Sequence, residues 1–344
     1  MLERIELHDF RCWTDKSFNL APTTIFTGPN GSGKTAILEA IVMLSLTTSW
    51  RTERDNEVVR WGTPFCRVTG NEMELVVQSQ PYLKRLRVDG ISLRTHQVIG
   101  RMPTVLFQPD DVAILTGAPS IRRHYIDRTI SQTNPIYTRA LLELGPVLKQ
   151  RNRLLKQISE GEAHIEELAF WDTELARLQA VIQPERAQFV EYLNSSVAAI
   201  FREMVPEGGD VRIEYQFSPR HTELSFLEHL LQNRFKELAA GVSLYGPHRE
   251  DIALFWGEHV VSESMSRGQG RALLLACKIA ELEYIASHAE VRPILLLDDI
   301  FSEFDKARRE RLFAVLGNYQ TVMSTTEISE VQSQLSNGTS IIEV

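Results

Sequence analysis

Residues 28–35 read Gly28-Pro29-Asn30-Gly31-Ser32-Gly33-Lys34-Thr35, and this stretch decides the fold. It fits G-x-x-x-x-G-K-[ST], follows a short β-branched and aromatic run at 24–27, and opens an apolar segment, 36–44, that has no helix breaker. Strand, glycine loop, helix is the context a phosphate-binding loop requires. The glycines let successive backbone N–H groups turn inward toward phosphate oxygens, and the helix N-terminus adds its positive dipole end. Lys34 is then the residue that reaches the β and γ phosphates of a nucleotide, and the Thr35 hydroxyl is a ligand for Mg²⁺.

Far downstream, Ile294-Leu-Leu-Leu-Asp298-Asp299 completes the site. Four apolar residues ending in an acid describe a buried strand that delivers a carboxylate at its tip. Asp298 is placed to hold Mg²⁺, and Asp299 to orient or activate the attacking water. Between the two motifs lies Ser266-Arg267-Gly268-Gln269 at the start of a helical run, where a hydroxyl and backbone N–H groups can face another phosphate.

Outward from these motifs, 2–27 reads as two strands. Residues 65–107 read as an antiparallel sheet of short runs at 66–69, 74–77, 86–88 and 104–107. From about 120 to 204 the period becomes helical. Leu168, Trp171, Leu175, Leu178 and Ile182 fall on one helix face, Pro184 predicts a break or kink, and 159–163 reads as the turn of a helical hairpin. Further strands are expected at 211–217, 252–256, 294–297 and 321–324, with a helix at 269–287. Helices flanking short apolar strands make an α/β core. The expected organisation is an ATPase lobe from 1–119 and 241–344, with a mainly helical lobe, 120–240, inserted between.

The chain carries 37 Lys+Arg against 45 Asp+Glu, a formal charge of −8, and is 43% hydrophobic. That composition excludes disorder and collagen-like structure. No stretch is apolar enough to cross a bilayer, and the charged opening Met-Leu-Glu-Arg-Ile-Glu is unlike a secretory signal, so a cytoplasmic protein with no membrane partner is expected. Cys12, Cys66 and Cys277 are too scattered for a disulfide framework or a zinc site. The acidic total hides a basic segment: Arg122, Arg123, Arg128, Arg139, Lys149, Arg151 and Arg153 are candidates for contacts with DNA phosphates, joined by Lys84, Arg85 and Arg87 on a strand. Equally open from the residues alone is a pairing of these cations with the acids of 157–191. No base-reading motif is visible, so any binding follows backbone charge.

Ser266-Arg-Gly-Gln resembles the signature motif of ABC-type ATPases, and Ser302-Glu303-Phe304-Asp305 resembles their D-loop. The whole set most closely resembles the RecF family, relatives of the Rad50 and SMC heads. Phe10-Arg11, Glu39-Ala40-Ile41, Val105-Leu-Phe-Gln-Pro-Asp-Asp111 with Arg122-Arg123, Gly246-Pro-His-Arg-Glu-Asp251 and Leu297–Asp305 carry the likeness in order along most of the chain. The resemblance implies an ABC-type P-loop ATPase head, with a parallel core sheet plus an antiparallel sheet and an inserted helical lobe. It implies an ATP-dependent homodimer in which Ser266, Arg267, Gly268 and Gln269 act on nucleotide held by the partner's loop. It further implies that Gln108 senses Mg²⁺ and the γ-phosphate and that Arg11 approaches the nucleotide. It also implies binding to double-stranded and gapped DNA, and work with RecR and RecO to load RecA.

Three departures from transporter ATPases matter. Asp299 stands where they carry Glu, and Thr325-Thr326 where they carry a switch His, a combination that predicts slow, weak hydrolysis. Arg267 replaces their Gly. Other ABC-type heads remain the alternative. A transporter subunit would have a smaller helical lobe, and a Rad50-like or SMC-like head would need hundreds of heptad residues between Lys34 and Ser266.

Overall fold

Leu2, Ile5 and Leu7 are buried while Arg4 and Glu6 are exposed, so the chain opens as a half-buried strand, β1 (Arg4–Phe10). It pairs antiparallel with β2 (Trp13–Asn19) and β4 (Phe65–Gly70). With β5 (Met73–Gln78), β6 (Leu83–Val88) and β7 (Ile91–Leu93) they form one antiparallel sheet ordered β2-β1-β4-β5-β6-β7. Register stacks Leu7, Val68, Leu75 and Leu86 in one row across that sheet. The row packs toward α1 (Lys34–Leu46), in which every residue except Thr35 is buried. Each such Leu or Val contributes about 1.5–3 kcal/mol of burial. The computed structural model describes all residues except 207–208, 218–221, 302–303 and 329–337.

After β3 (Thr23–Thr27), α1, the sheet and a short α2 (Thr95–Val98) comes β8 (Thr104–Phe107). The run at 104–107 was expected among the antiparallel strands. Its four residues are all buried, and it pairs parallel with a strand of a second sheet. A strand covered on both faces needs no polar side, which is why alternation was the wrong guide there.

The chain then forms a second unit, Ala113–Ala199 with Gly209–Met265. Its helices are α3 (Ala113–Thr116), α4 (Pro119–Ser131), α5 (Pro135–Ser159), α6 (Leu168–Met204) as far as Ala199, and α7 (Glu223–Ala240), and α8 (Val261–Ser264) closes it. Asn134 caps α5 by accepting from the N–H groups of Ile136 and Tyr137, with Pro135 in the first turn. The hairpin turn between α5 and α6 falls where expected, but α6 runs through Pro184 without ending. A three-stranded antiparallel sheet, β11-β10-β9, combines β9 (Val211–Gln216), β10 (Asp251–Trp256) and β11 (His259–Val260). Because β10 pairs with β9, residues 241–265 belong to the inserted unit, and the expected boundary at 240 moves to 265.

Ser266 starts the return to the first unit, Met1–Val112 with Ile200–Gly208 and Ser266–Val344. There α9 (Arg267–His288), β12 (Ile294–Asp298), α10 (Lys306–Leu316), β13 (Thr321–Thr325) and β14 (Thr339–Glu343) complete a parallel sheet ordered β14-β3-β13-β12-β8. All five residues of β12 and all five of β13 are buried, the mark of strands covered on both faces. The parallel register places Leu297 beside Phe107, Asp298 beside Ser324, and Thr325 beside Thr27. The motif residues therefore follow, or lie at, the carboxyl ends of strands of this one parallel sheet, where open α/β sheets bind ligands.

Candidate phosphate-binding site

The loop after β3 leads into α1 through Gly33, whose φ of +105° is left-handed. A Cβ on Gly33 would lie 2.7 Å from Cys12 Sγ and 2.8 Å from the Trp13 ring, so glycine is required by conformation and by space. Gly28 is equally constrained: its φ is +154°, and a Cβ would meet the Val344 carbonyl oxygen at 2.1 Å. Lys34 folds back over the loop, its ammonium donating to the carbonyls of Gly28 (2.7 Å) and Pro29 (2.9 Å). Ser32 Oγ is buried and finds no hydrogen-bond partner among the described residues. A buried hydroxyl in that state is costly unless a ligand uses it, and a phosphate oxygen is a fitting acceptor.

Asp298 is buried at the tip of β12, and one of its oxygens accepts from Thr35 Oγ1 (2.9 Å) and Ser324 Oγ (2.7 Å). The threonine of the loop and the first acid of Ile294–Asp299 thus meet, although 263 residues separate them in sequence. Asp299 has a left-handed φ of +51°, and its N–H donates to Ser324 through both the backbone oxygen and Oγ at 3.2 Å. These elements border a cleft of about 300 Å³ whose lining includes Asn30, Gly31, Gly33, Lys34, Thr35, Arg11 and Asp299.

Arg11 reaches the cleft from the end of β1. Its guanidinium donates two bonds, 2.9 and 2.5 Å, to Glu39, and a third to the Glu57 carbonyl. Glu39 is fully buried on α1 and also accepts from Ser49 Oγ (2.5 Å) and Arg51 (3.3 Å). One buried carboxylate therefore sets two guanidiniums beside the loop. Arg51, Ser324 and Cys12 line the cleft and were not singled out from sequence. The buried Glu39 inside an apolar helix was the one available signal, because a carboxylate there requires cationic partners.

The structure does not bring every expected residue to the cleft. Gln108 follows β8, one strand over from Asp298, but its side-chain amide is turned to Asp111 (3.4 Å). Ser266 caps α9, accepting from the Gln269 N–H at 3.3 Å while the Gln269 side chain accepts from the Ser266 N–H, so the S-x-x-Q spacing forms a capping box. Ser266 and Arg267 are exposed at the start of that helix, outside the residues that line the cleft. Of the D-loop stretch, Ser302 and Glu303 lie outside the described residues. Asp305 caps α10 and pairs with Arg308 (2.6 Å).

The basic candidates divide sharply. Arg151 is not a surface cation: it is fully buried, donating to Asp172 (2.9 Å), Glu237 (2.5 Å) and Ser243 (2.8 Å). Arg122 makes a two-pronged pair with Asp251, and Arg123 donates to the Glu250 carbonyl. Lys84 is held by Asp55 and the Thr47 carbonyl. Arg128 is half-buried, whereas Arg139, Lys149 and Arg153 are exposed on α5.

A phosphate loop after one parallel strand, an acid pair at the end of another and a serine-capped S-R-G-Q helix define the class: an ABC-type P-loop ATPase head. The family described as RecF/RecN/SMC N terminal domain matches residues 1–344. The chain is 36% identical to the DNA replication and repair protein RecF of Moorella thermoacetica, covering 97% of this chain and 92% of the relative. It is 35% identical to the RecF of Herpetosiphon aurantiacus, over 96% and 94%. A solved structure of the recombination mediator protein RecF with ATP superposes with a TM-score of 0.91 at 27% identity, covering 99% of this chain and 95% of that one. An SMC head bound to the C-winged helix domain of ScpA shares the fold alone, at a TM-score of 0.56 and 16% identity over 100% of this chain and 93% of that one. The chain belongs to the RecF family of DNA replication and repair proteins.

Proposed function

We propose that this chain is an ATP-dependent clamp on duplex and gapped DNA in recombinational repair and replication restart, which closes as a homodimer and hydrolyses ATP slowly. The observation that carries this reading is the division of the motifs. One cleft gathers Lys34, Thr35 and Asp299, with Asp298 bonded to Thr35, while Ser266 and Arg267 are exposed at the head of a different helix. A signature helix displayed away from its own cleft suits a nucleotide held by a second copy.

In this reading the loop amides and Lys34 bind the β and γ phosphates, with Lys34 exchanging the Gly28 and Pro29 carbonyls for phosphate oxygens. Thr35 Oγ1 and Asp298, already 2.9 Å apart, are hard oxygen donors and fit Mg²⁺. The ion would neutralise charge on the phosphates as the terminal bond breaks. Asp299 orients the attacking water, and its short side chain, with no imidazole following β13, favours a long-lived ATP state. Arg11, fixed by Glu39, contacts the nucleotide from the side. DNA lies along α5, where Arg139, Lys149, Arg153 and Lys156 share one exposed face across about 25 Å of helix. Collaboration with RecR and RecO in loading RecA follows from the family likeness, as does a place in the cytoplasm.

Sedimentation of the purified chain with ATP and Mg²⁺, with and without gapped duplex, tests the reading. A dimer that appears only with ATP and engages the duplex is expected. A monomer that binds ATP and ignores DNA overturns it.

A further inference from the structure

Helix α9 carries the Ser266-Arg267-Gly268-Gln269 segment, exposed at Ser266 and Arg267, at its start and, about three turns further on, two fully buried charges, Lys278 and Glu281. Lys278 Nζ lies 3.0 Å from Glu281 and 3.4 Å from Asp111, itself 7% exposed in the turn after β8. It also sits 5.8 Å from the centroid of the Phe107 ring. Burying charges costs more than their pairing returns unless the geometry is excellent, and an apolar layer would fasten α9 to the sheet equally well. The arrangement therefore calls for a reason beyond packing.

The Asp111 carboxylate supplies one. The oxygen that meets Lys278 also accepts from the Gln108 backbone N–H at 3.1 Å, and the other oxygen faces the Gln108 side-chain amide at 3.4 Å. A single carboxylate thus grips Gln108 on one side and α9 on the other. Gln108 is one strand from Asp298, yet its amide is held on Asp111 and lies outside the cleft lining. For the amide to reach a γ-phosphate or its metal it must leave Asp111. That departure strips one donor from the carboxylate and strengthens its hold on Lys278.

We propose that Asp111 and Lys278 are positioning residues that couple Gln108 to α9 of the same chain, so that nucleotide in one cleft sets the placement of the Ser266 helix start offered to the other. The inference rests on the dimeric reading above and deepens it. Neither residue touches nucleotide, so the monomer's affinity for ATP does not depend on them. Closure of the dimer does.

A double-mutant cycle on the full chain tests this. The forms are wild type, Gln108→Ala, the joint change Lys278→Met with Glu281→Leu, and the combination of all three substitutions. Monomer affinity is read with a fluorescent ATP analogue, and the ATP-dependent dimer by sedimentation. Monomer affinity in the joint Lys278→Met, Glu281→Leu form is expected to stay within threefold of wild type, and in the combination within threefold of Gln108→Ala alone. Gln108→Ala and the joint change should each weaken the dimer at least tenfold, and the combination no more than the worse of the two. Multiplying effects overturn the coupling. If the joint change prevents folding, Asp111→Asn takes its place, since it keeps the shape of the turn and an acceptor for the Gln108 N–H. An Asp111→Asn chain that dimerises like wild type overturns the proposal. A wild type that stays monomeric with ATP sinks the clamp reading and this inference together; a wild-type dimer with additive variants sinks this inference alone.

Discussion

Glu39 shows how a single buried residue organises the cleft. It sits at zero exposure in an apolar helix and holds Arg11, Arg51 and Ser49 at once. Glu39→Gln removes the charge but keeps the shape, leaving Arg11 and Arg51 without their anion. Breaking a buried pair in this way costs about 3 kcal/mol, so the variant should melt several degrees lower and bind ATP at least tenfold more weakly. A variant with wild-type melting and affinity would show that neither arginine depends on Glu39. The cysteines give a second test at this scale. Burial pushes the Cys66 and Cys277 thiols up to about 12, which leaves them inert, whereas Cys12 is exposed and lines the cleft. Maleimide should label Cys12 first, and ATP should slow that labelling several-fold in wild type but not in Lys34→Ala. Labelling unaffected by ATP would place the nucleotide elsewhere.

At the scale of elements, α5 separates two kinds of arginine that look alike in sequence. Arg151 and Arg153 are two residues apart, which on a helix turns them roughly 200° from each other. Arg151 points into the unit, against Asp172 on α6 and Glu237 on α7, while Arg153 lies on the exposed stripe with Arg139, Lys149 and Lys156. Arg151→Ala leaves the buried Glu237 without its cation and Asp172 with Arg234 alone, and should cost about 3–5 kcal/mol of stability. Lys149→Ala and Arg153→Ala should leave melting unchanged, and each should reduce the slope of log affinity against log salt for duplex DNA by about one. An unchanged slope in both would move the DNA off this face. The sequence shows the excess of cations in 121–156 but not their facing, because facing depends on which partners the tertiary fold supplies. The same limit explains β8 and β10. Local alternation is a true signal for the half-exposed antiparallel strands β4, β5 and β6, whereas Thr104–Phe107 is buried on all sides and 251–256 finds its partner strand 40 residues earlier. The phosphate loop and the acid pair were legible because their chemistry fixes the local order of residues. Arg51 and Ser324 were not, since nothing local marks a residue that only folding brings to the cleft.

At the scale of the whole molecule, the first unit is assembled from three separate stretches of chain, with Lys34 on the first and Ser266 and Asp298 on the last. All three belong to one unit, but it is Thr35, next to Lys34, that bonds Asp298, and Ser266 is displayed at the head of α9, outside the residues that line the cleft. On the proposed dimeric reading, two copies form two composite sites, each taking its loop from one copy and its signature from the other. Lys34→Ala removes the loop's cation, and Ser266→Arg fills the signature's hydroxyl position with a bulky charge. Each variant alone should hydrolyse no ATP: the first for want of binding, the second while still binding ATP as a monomer. Mixed together they form a heterodimer in which one composite site joins the intact loop of the Ser266→Arg copy to the intact signature of the Lys34→Ala copy. Hydrolysis should return in the mixture to a fraction of the wild-type rate, and fall away when either variant is in large excess. A mixture as inactive as its components would mean either that the signature serves its own chain or that both sites must be filled before the pair closes. Ser266→Arg separates the two by itself, since a signature serving its own chain leaves ATP-dependent dimer formation intact, whereas a signature acting across the pair abolishes it.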